Sequence, residues 1–250
     1  MAKNKLAKFA EMEVLKNVFQ PKHKEIFRTD YFLKGHWREK IFQNNHPIVL
    51  EIGCGKGEYT VGLSELYPEK NFIGIDIKGA RMWHGAKIAL EKGLPNAVFL
   101  RIYAEMLESV FAPHEISEIW ITFPDPQMAK ARKRLTGSRF LNLYKKILIP
   151  NGHIHLKTDS PFLFAYTVAL IGHNQLKAFI CTEDLYRCEG QDKILGIQTF
   201  YEQQWLSRGK TIKYIQFALE GSDFIQEPDI ELEKDDYHSE ARYMNLSPKQ

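Results

Sequence analysis

A glycine-rich loop is the first feature of this sequence that could do chemistry. Its three glycines stand at alternate positions, after an apolar run and before a predicted helix: Gly53, Gly55 and Gly57. Glycines let a backbone turn tightly and approach a ligand closely, so the loop indicates a small-molecule site. A dinucleotide-binding fingerprint places its third glycine one residue later, where this chain has Glu58. A carboxylate at that position repels a pyrophosphate, which argues against a nicotinamide cofactor.

Two further acids refine this interpretation. Glu51 ends the strand before the loop, and Asp76 ends the next predicted strand, 25 residues later. Acidic neighbours suit S-adenosylmethionine, which carries a sulfonium and an ammonium group but no phosphate. A carboxylate at Asp76 can also accept both hydroxyls of a ribose. The alternatives are a strand–helix turn without a ligand and a solvated acid at a strand end.

A third carboxylate, Asp125, stands between Pro124 and Pro126 after the fourth predicted strand. Proline fixes its own φ and biases the preceding residue toward an extended backbone. The two prolines are therefore expected to hold Asp125 rigidly, and methyl transfer depends on such positioning. The alternative is a simple turn.

A basic segment follows directly and contains Lys130, Arg132, Lys133, Arg134 and Arg139. Five cations within ten residues indicate a phosphate-binding surface, although a solvated basic helix face is an equal alternative. Residues 1–46 are also basic. Two basic regions beside one site favour a polyanionic substrate.

These residues must be positioned by alternating strands and helices. Seven strands are predicted, over residues 48–52, 71–76, 97–101, 119–123, 153–157, 177–182 and 212–219. Helices are predicted over residues 59–67, 80–92, 138–148 and 162–172, with a weaker helical pattern over 6–18. This alternation indicates an α/β fold with a largely parallel sheet. All of the residues singled out above follow the carboxyl ends of strands, where such sheets bind ligands.

The composition is that of an ordinary globular protein, with 250 residues, 44% of them hydrophobic, and a net charge of +3. Three irregularly spaced cysteines predict neither a disulfide framework nor a zinc site, and no metal is expected. We expect a cytoplasmic location and no membrane span. The predicted division is a basic extension over 1–46, a catalytic domain over 47–220 and a solvated acidic tail over 221–250.

Taken together, the motifs resemble the bacterial tRNA (guanine-N7-)-methyltransferases. The resemblance runs from about residue 47 to about 217. Its motifs are Glu51-Ile-Gly-Cys-Gly-Lys-Gly-Glu58, Gly74-Ile-Asp76, Phe123-Pro-Asp-Pro126, Lys157-Thr-Asp159 and Thr199-x-x-Glu202. The first motif indicates only a class I methyltransferase, and the last three are far more specific. The resemblance implies a Rossmann-like fold with a seven-stranded, mostly parallel sheet and helices on both faces.

The resemblance also implies roles for individual residues. Contacts to S-adenosylmethionine are implied for Glu51, Gly53, Gly55, Gly57, Asp76, Tyr103, Ala104 and Asp125. Contacts to tRNA or its guanine are implied for Lys130, Asp159, Thr199 and Glu202. The implied reaction methylates N7 of a guanine in the variable loop, position 46, and leaves S-adenosylhomocysteine. A monomer or a homodimer is expected, with tRNA as the partner.

The chain departs from the family pattern at two of these positions. A tryptophan usually follows Pro-Asp-Pro and precedes a substrate-contacting lysine; here Gln127 stands in its place, and the lysine role falls to Lys130. An acid or asparagine usually precedes Ala104, where this chain has Tyr103. Two other functions stay open, a non-catalytic RNA-binding protein and a methyltransferase for another RNA. Affinity for S-adenosylmethionine would separate the first of these from an enzyme.

Overall fold

An eight-stranded sheet forms the centre of the computed structural model, which describes residues 2–187, 195–221, 223–233 and 235. The strands lie in the order β1-β4-β3-β2-β5-β6-β8-β7. Their bounds are β1 Val18–Phe19, β2 Ile48–Ile52, β3 Asn71–Ile75, β4 Ala97–Leu100, β5 Ile116–Thr122, β6 Leu148–Thr158, β7 Ala178–Thr182 and β8 Lys213–Ala218. The first six strands pair in parallel, and β8 runs antiparallel to both β6 and β7.

Helices cover both faces of this sheet, as expected. Their bounds are α1 Ala2–Met12, α2 His23–Ile26, α3 Glu58–Leu66, α4 Gly79–Glu91, α5 Leu107–Val110, α6 Ser138–Ile147, α7 Pro161–His173 and α8 Phe200–Leu206. Alternate residues of β2 enter different cores. Leu50 belongs to the core that contains Leu141 of α6 and Leu163 of α7, whereas Val49 belongs to the core that contains Leu63 of α3 and Trp205 of α8. The predicted α/β architecture is therefore confirmed.

The strand count corrects the expectation of seven. The additional strand, β1, lies in the N-terminal region, where the sequence shows no strand pattern. Its two residues pair with Phe99 and Leu100 of β4, so the strand depends on its neighbour rather than on its own periodicity. The same region also enters the main core through Ile26, Leu33 and Trp37.

Strand β6 begins earlier than predicted because its ladder contains an irregularity. Leu148 pairs with Ile116, and the next pair is His153 with Glu118. Residues 149–152 are passed over between these pairs, and Asn151 has a left-handed backbone with φ of 59°. The turn at residues 150–152 is thus accommodated inside the strand as a bulge.

The segment after residue 220 was expected to be solvated, and most of its described residues are exposed, but Ile225 and Pro228 are buried against the rest of the chain. Ile225 is buried in the main core. Asn142 of α6 and Asn174, which directly follows α7, each exchange two hydrogen bonds with the tail backbone, at Ile225 and Gln226 respectively. Each asparagine amide thus pairs with both the N–H and the carbonyl group of one tail residue, as a backbone amide does in a β-ladder. The rest of the predicted acidic tail lies outside the described residues.

None of the helices in the described ranges combines the length and the apolar character that a membrane crossing requires.

Candidate active site

The glycine-rich loop joins β2 to α3 and has a backbone that few other residues adopt. Gly53, Gly55 and Gly57 have φ values of 80°, 56° and 74°. At Gly57 an added Cβ would lie 2.5 Å from the Phe99 ring and 3.1 Å from Cα of Gly85. The loop therefore packs directly on α4 and β4, and glycine is required there by both conformation and space.

Glu51 lies beneath the loop at the end of β2 and is buried. Its Oε2 accepts hydrogen bonds from the N–H and the hydroxyl of Thr60, at 2.8 and 2.5 Å, and its Oε1 accepts one from Thr122 at 2.7 Å. Burial raises the pKa of Glu51 to about 7, although the hydrogen bonds from Thr60 and Thr122 lower it. A cation brought to this carboxylate would favour its ionised form.

Asp76 connects the loop to the neighbouring strand β3. Its Oδ2 accepts the N–H of Gly55 at 2.9 Å, and its Oδ1 accepts the N–H of Lys78 at 2.7 Å. Each carboxylate oxygen keeps a further lone pair for another donor. The carboxylate is thus fixed in place and remains half-exposed at the edge of the loop.

A cavity of about 320 Å³ opens beside Asp76, at the carboxyl ends of β3 and β4. Its lining is mixed: Ile77, Ile102, Tyr103 and Met106 provide apolar surface, and Arg101 adds a charged side chain. Tyr103 is 55% exposed, so its ring lies at the mouth of the cavity. The N-terminal region closes the opposite side with residues 20–23 and Ile26. Ala104 follows Tyr103 and is half-buried.

Asp125 lies in a turn with an unusual backbone at the end of β5. Phe123 and Gln127 both have φ of 48°, a conformation that non-glycine residues adopt rarely and that concentrates at functional sites. Pro124 and Pro126 are buried, whereas Asp125 is exposed and accepts the N–H of Gln127 at 2.9 Å. The turn anchors its prolines and leaves the carboxylate at the rim of the sheet.

The basic segment after Asp125 is only partly available to a ligand. Lys130, Arg132 and Lys133 are exposed on the turn that follows. Arg134 is 8% exposed; it donates to the carbonyl oxygen of Met128 and lies over the ring of Tyr166, 4.3 Å from its centroid. Arg134 therefore serves the fold, so the exposed surface contains fewer cations than the sequence suggests.

Asp159 follows β6 and is the least satisfied acid near the site. It is 4% exposed, and neither carboxylate oxygen accepts a hydrogen bond from the described residues. Burial raises its pKa to about 6, and the nearby Lys210 and Lys213 lower it. An unpartnered buried carboxylate is costly to the fold, and such groups are common at binding sites.

Thr199 and Glu202 lie outside the helices predicted from the sequence, but Thr199 caps the short helix α8 and Glu202 lies in its first turn. The hydroxyl of Thr199 accepts the N–H of Glu202 at 3.2 Å, and Oε2 of Glu202 accepts the N–H of Thr199 at 3.3 Å. This reciprocal arrangement is a capping box, and the Thr-x-x-Glu spacing could have predicted the helix from the sequence. The helix then contacts the glycine-rich loop, since Glu58 accepts the N–H of Phe200 at 3.2 Å.

Lys157 begins the Lys157-Thr-Asp159 motif, but the sequence resemblance implies no role for it. It is completely buried, and its Nζ lies 2.7 Å from Oε1 of Glu202. Only the fold could show this, because the two residues are far apart in the sequence. Cys54, by contrast, is buried in the glycine-rich loop, and burial raises its thiol pKa well above the ordinary value, which disfavours a nucleophilic role.

All of the sequence-selected residues thus lie on the carboxyl-end edge of the sheet or on segments tied to it. Three carboxylates at strand ends, a partly apolar cavity and an exposed basic turn share this edge. The arrangement can hold a cationic ligand with an apolar ring and can place a polyanion beside it. The individual contacts of these residues to ligands stay predictions.

A family model described as "Putative methyltransferase" matches residues 45–215 of the chain. Two similar relatives are both named tRNA (guanine-N(7)-)-methyltransferase. The protein from Bacteroides thetaiotaomicron is 53% identical over 97% of this chain and 96% of its own length. The protein from Porphyromonas gingivalis is 56% identical over 92% of this chain and 96% of its own length.

Solved structures with low sequence identity share the fold. The 16S rRNA methyltransferase KamB is 16% identical with a TM-score of 0.55, over 72% of this chain and 89% of that one. A structure described as an antibiotic-related methyltransferase is also 16% identical, with a TM-score of 0.56 over 77% of this chain and 96% of that one. Both support the Rossmann-like class I fold. The relatives identify the family more closely, and the chain belongs to the tRNA (guanine-N(7)-)-methyltransferases.

Proposed function

We propose that this enzyme transfers a methyl group from S-adenosylmethionine to N7 of the variable-loop guanine of tRNA, at position 46. The single observation that carries the proposal is the convergence of Glu51, Asp76 and Asp125 at one edge of the sheet, with a partly apolar cavity between strand ends. The names of the relatives supply the tRNA and the guanine atom. The loop position comes from the sequence resemblance.

The chemistry of the donor set fits the cofactor. Glu51 is a buried carboxylate with a raised pKa, which a cationic ammonium group would return to its ionised form. Asp76 has free lone pairs for the two ribose hydroxyls. The cavity lined by Ile77 and Tyr103 offers apolar surface for an adenine ring, and no phosphate site is needed. Gly53 and Gly55 have no side chains, so a ligand can approach the backbone of the loop closely.

The reaction that this site must support is simple in its proton requirements. The bound cofactor supplies a methyl group on a positively charged sulfur. Guanine N7 has a lone pair and no proton, so no residue has to act as a general base. A C–N bond forms as the C–S bond breaks, and the positive charge passes to the purine. The protein therefore contributes mainly alignment and electrostatic stabilisation.

Asp125 is the residue proposed to stabilise that charge. Its carboxylate is exposed on a rigid turn at the end of β5, next to the strand that carries Glu51. Asp159, at the end of the following strand β6, is proposed to bind the guanine base. Its two oxygens have no hydrogen-bond donor among the described residues, and the N1–H and amino group of guanine would supply donors.

Phosphate contacts are proposed for the exposed cations around this edge. Lys130, Arg132 and Lys133 follow Asp125, and Lys22 and Lys24 extend from the N-terminal wall of the cavity. Such contacts position an RNA without reading its sequence. Thr199 is proposed to contact the substrate from the N-terminus of α8.

The direct test is to incubate the protein with S-adenosylmethionine and unmodified tRNA, digest the product and separate its nucleosides by mass spectrometry. We expect 7-methylguanosine as the new nucleoside, located in the fragment that contains position 46. A methylated adenosine or cytidine would contradict the proposed reaction. Measured affinity for S-adenosylmethionine without methylation of any RNA would instead favour a non-catalytic binding protein.

A further inference from the structure

Lys157, near the carboxyl end of β6, gives each of its three ammonium hydrogens a partner. Nζ lies 2.7 Å from Oε1 of Glu202 and donates to the carbonyl oxygens of Leu195 and Ile197 at 3.0 and 3.1 Å. An ammonium group has three donors, so none is left over. The lysine therefore ties the central sheet to the segment that leads into α8, residues 195–202.

The carboxylate oxygens of Glu202 also have partners within the protein, and the side chain has no exposed surface. Its Oε1 also accepts the hydroxyl of Tyr186 at 2.6 Å, and its Oε2 accepts the N–H of Thr199 at 3.3 Å. Both oxygens are thus directed into the protein. A buried charge is costly without its partner, so Lys157 and Glu202 each depend on the other.

The other side of segment 195–202 rests on the glycine-rich loop and on α3. Glu58 accepts the N–H of Phe200 at 3.2 Å, and Nζ of Lys56 lies 3.9 Å from the centroid of the Phe200 ring. Ile197 packs on Gly62, where an added Cβ would be 3.1 Å from its side chain. The segment therefore connects the end of β6, which Asp159 follows, with the glycine-rich loop.

We infer that Lys157 and Glu202 are positioning residues, whose buried ion pair fixes segment 195–202 across the cofactor loop. Glu202 acts through Lys157 and Thr199 and does not touch the guanine, which changes the role that the sequence resemblance implies for it. The inference rests on the proposed function, because this placement matters for turnover only if the loop and Asp159 serve methyl transfer.

The test uses Glu202→Gln, Lys157→Met and the double variant. Each single variant is expected to lower kcat by about 10²-fold, because small misplacements in a reacting pair have effects of this size. The KM for tRNA should change little, and calorimetry should show weaker S-adenosylmethionine binding in both variants. The double variant should be no worse than the poorer single one, because both changes break the same contact. Losses in kcat that multiply in the double variant would overturn the inference.

A substrate substitution separates positioning from base contact. Inosine lacks the 2-amino group of guanine, so a residue that binds this group discriminates between the two bases. The ratio of kcat/KM for guanine over inosine at position 46 should be the same in the unmodified enzyme and in Glu202→Gln. A ratio that collapses in Glu202→Gln but persists in Lys157→Met would show that Glu202 contacts the base.

Glu118→Gln is the matched control for folding. Glu118 is also largely buried on this sheet: it pairs with Lys70 at 3.1 Å, lies 3.2 Å from Nε2 of His155 and accepts a hydrogen bond from Nε1 of Trp120 at 2.6 Å. None of these three partners belongs to segment 195–202 or to the glycine-rich loop. We expect a lower melting temperature with kcat unchanged. An equal fall in kcat for Glu118→Gln at the same loss of melting temperature would overturn the inference. If the unmodified enzyme failed to methylate tRNA, the proposed function would fail, whereas the calorimetric affinities would still test the ion pair.

Discussion

The N–H of Gly55 donates to Oδ2 of Asp76 at 2.9 Å, which joins the glycine-rich loop after β2 to the end of β3. This hydrogen bond fixes the loop after β2 relative to the end of β3. A ligand that contacts the loop therefore also lies close to the Asp76 carboxylate. This link depends on the positive φ of Gly55, because the turned backbone brings its N–H toward the neighbouring strand. The shape of the loop is therefore the first property to test.

Replacing Gly57 with alanine should distort that loop. The new Cβ would lie 2.5 Å from the buried Phe99 ring at a φ of 74°, so the change combines a steric clash with backbone strain. We expect a loss of unfolding free energy of about 2–4 kcal/mol and weaker S-adenosylmethionine binding, measured by urea unfolding and calorimetry.

Gly93→Ala is the matched control, since Gly93 has φ of 66° and no atom within 4 Å of an added Cβ. It should cost only the backbone strain, about 1 kcal/mol, and leave cofactor affinity intact. Equal effects of the two changes on affinity would show that the loop packing is irrelevant to binding.

Cofactor affinity should rise with pH through the titration of Glu51. Burial raises the pKa of this carboxyl from 4.5 to about 7, so at pH 6 it is largely protonated in the free enzyme. A bound ammonium group favours the ionised form, so binding below pH 7 should release a proton and tighten as the pH rises to 8. Calorimetry in buffers of different ionisation enthalpy measures that proton directly.

Glu51→Gln should abolish the release, while Asp159→Asn should preserve it. Proton release that persists in Glu51→Gln would assign the titration to another group.

Asp159→Asn should stabilise the protein at neutral pH and lower its activity. The folded pKa of Asp159, about 6, exceeds its ordinary value of 3.8, so ionisation opposes folding. The free-energy penalty that ionised Asp159 imposes on folding is absent below pH 3.8. It grows between pH 3.8 and about 6, and it is constant at higher pH. Asp159→Asn should therefore raise the free energy of unfolding by at most about 3 kcal/mol at pH 8, and by progressively less toward pH 4.

Urea unfolding at a series of pH values measures this difference. A constant difference between the two proteins from pH 4 to pH 8 would mean that Asp159 does not titrate in this range.

Asp125 should be needed for turnover and dispensable for tRNA binding. Asp125→Ala removes both the charge and the hydrogen bond from the N–H of Gln127, whereas Asp125→Asn can keep that bond. We expect both variants to lose about 10²–10³-fold in kcat, because the developing purine charge has lost its carboxylate. Single-turnover rates and filter binding of tRNA separate the two effects. Full recovery of kcat in the asparagine variant would reduce Asp125 to a turn-forming residue.

Much of this edge could be predicted because local patterns determine it. The strands that precede Glu51, Asp76 and Asp125 are short apolar runs that end in glycine, proline or acid, and each lies where the sequence indicates. The position of a ligand edge then follows from parallel strand pairing.

The missed features depend on contacts between distant residues. Strand β1 exists only against β4, and the burial of Lys157 depends on Glu202 and on the carbonyl oxygens of residues 195 and 197. The sequence around the tail residues Ile225 and Gln226 carries no signal for their hydrogen bonds with Asn142 and Asn174. Helix α8 is different, since the spacing of Thr199 and Glu202 is a capping box that sequence reasoning could have recognised.

The most direct test of the account compares two tRNA transcripts that differ by one atom of the acceptor base. One has guanine at position 46 and the other has 7-deazaguanine, in which a C–H group replaces N7, and each is incubated with labelled S-adenosylmethionine. The account predicts that the guanine transcript is labelled and the 7-deazaguanine transcript is not, with equal binding of both. Equal labelling of the two transcripts would contradict methylation at N7 of this guanine.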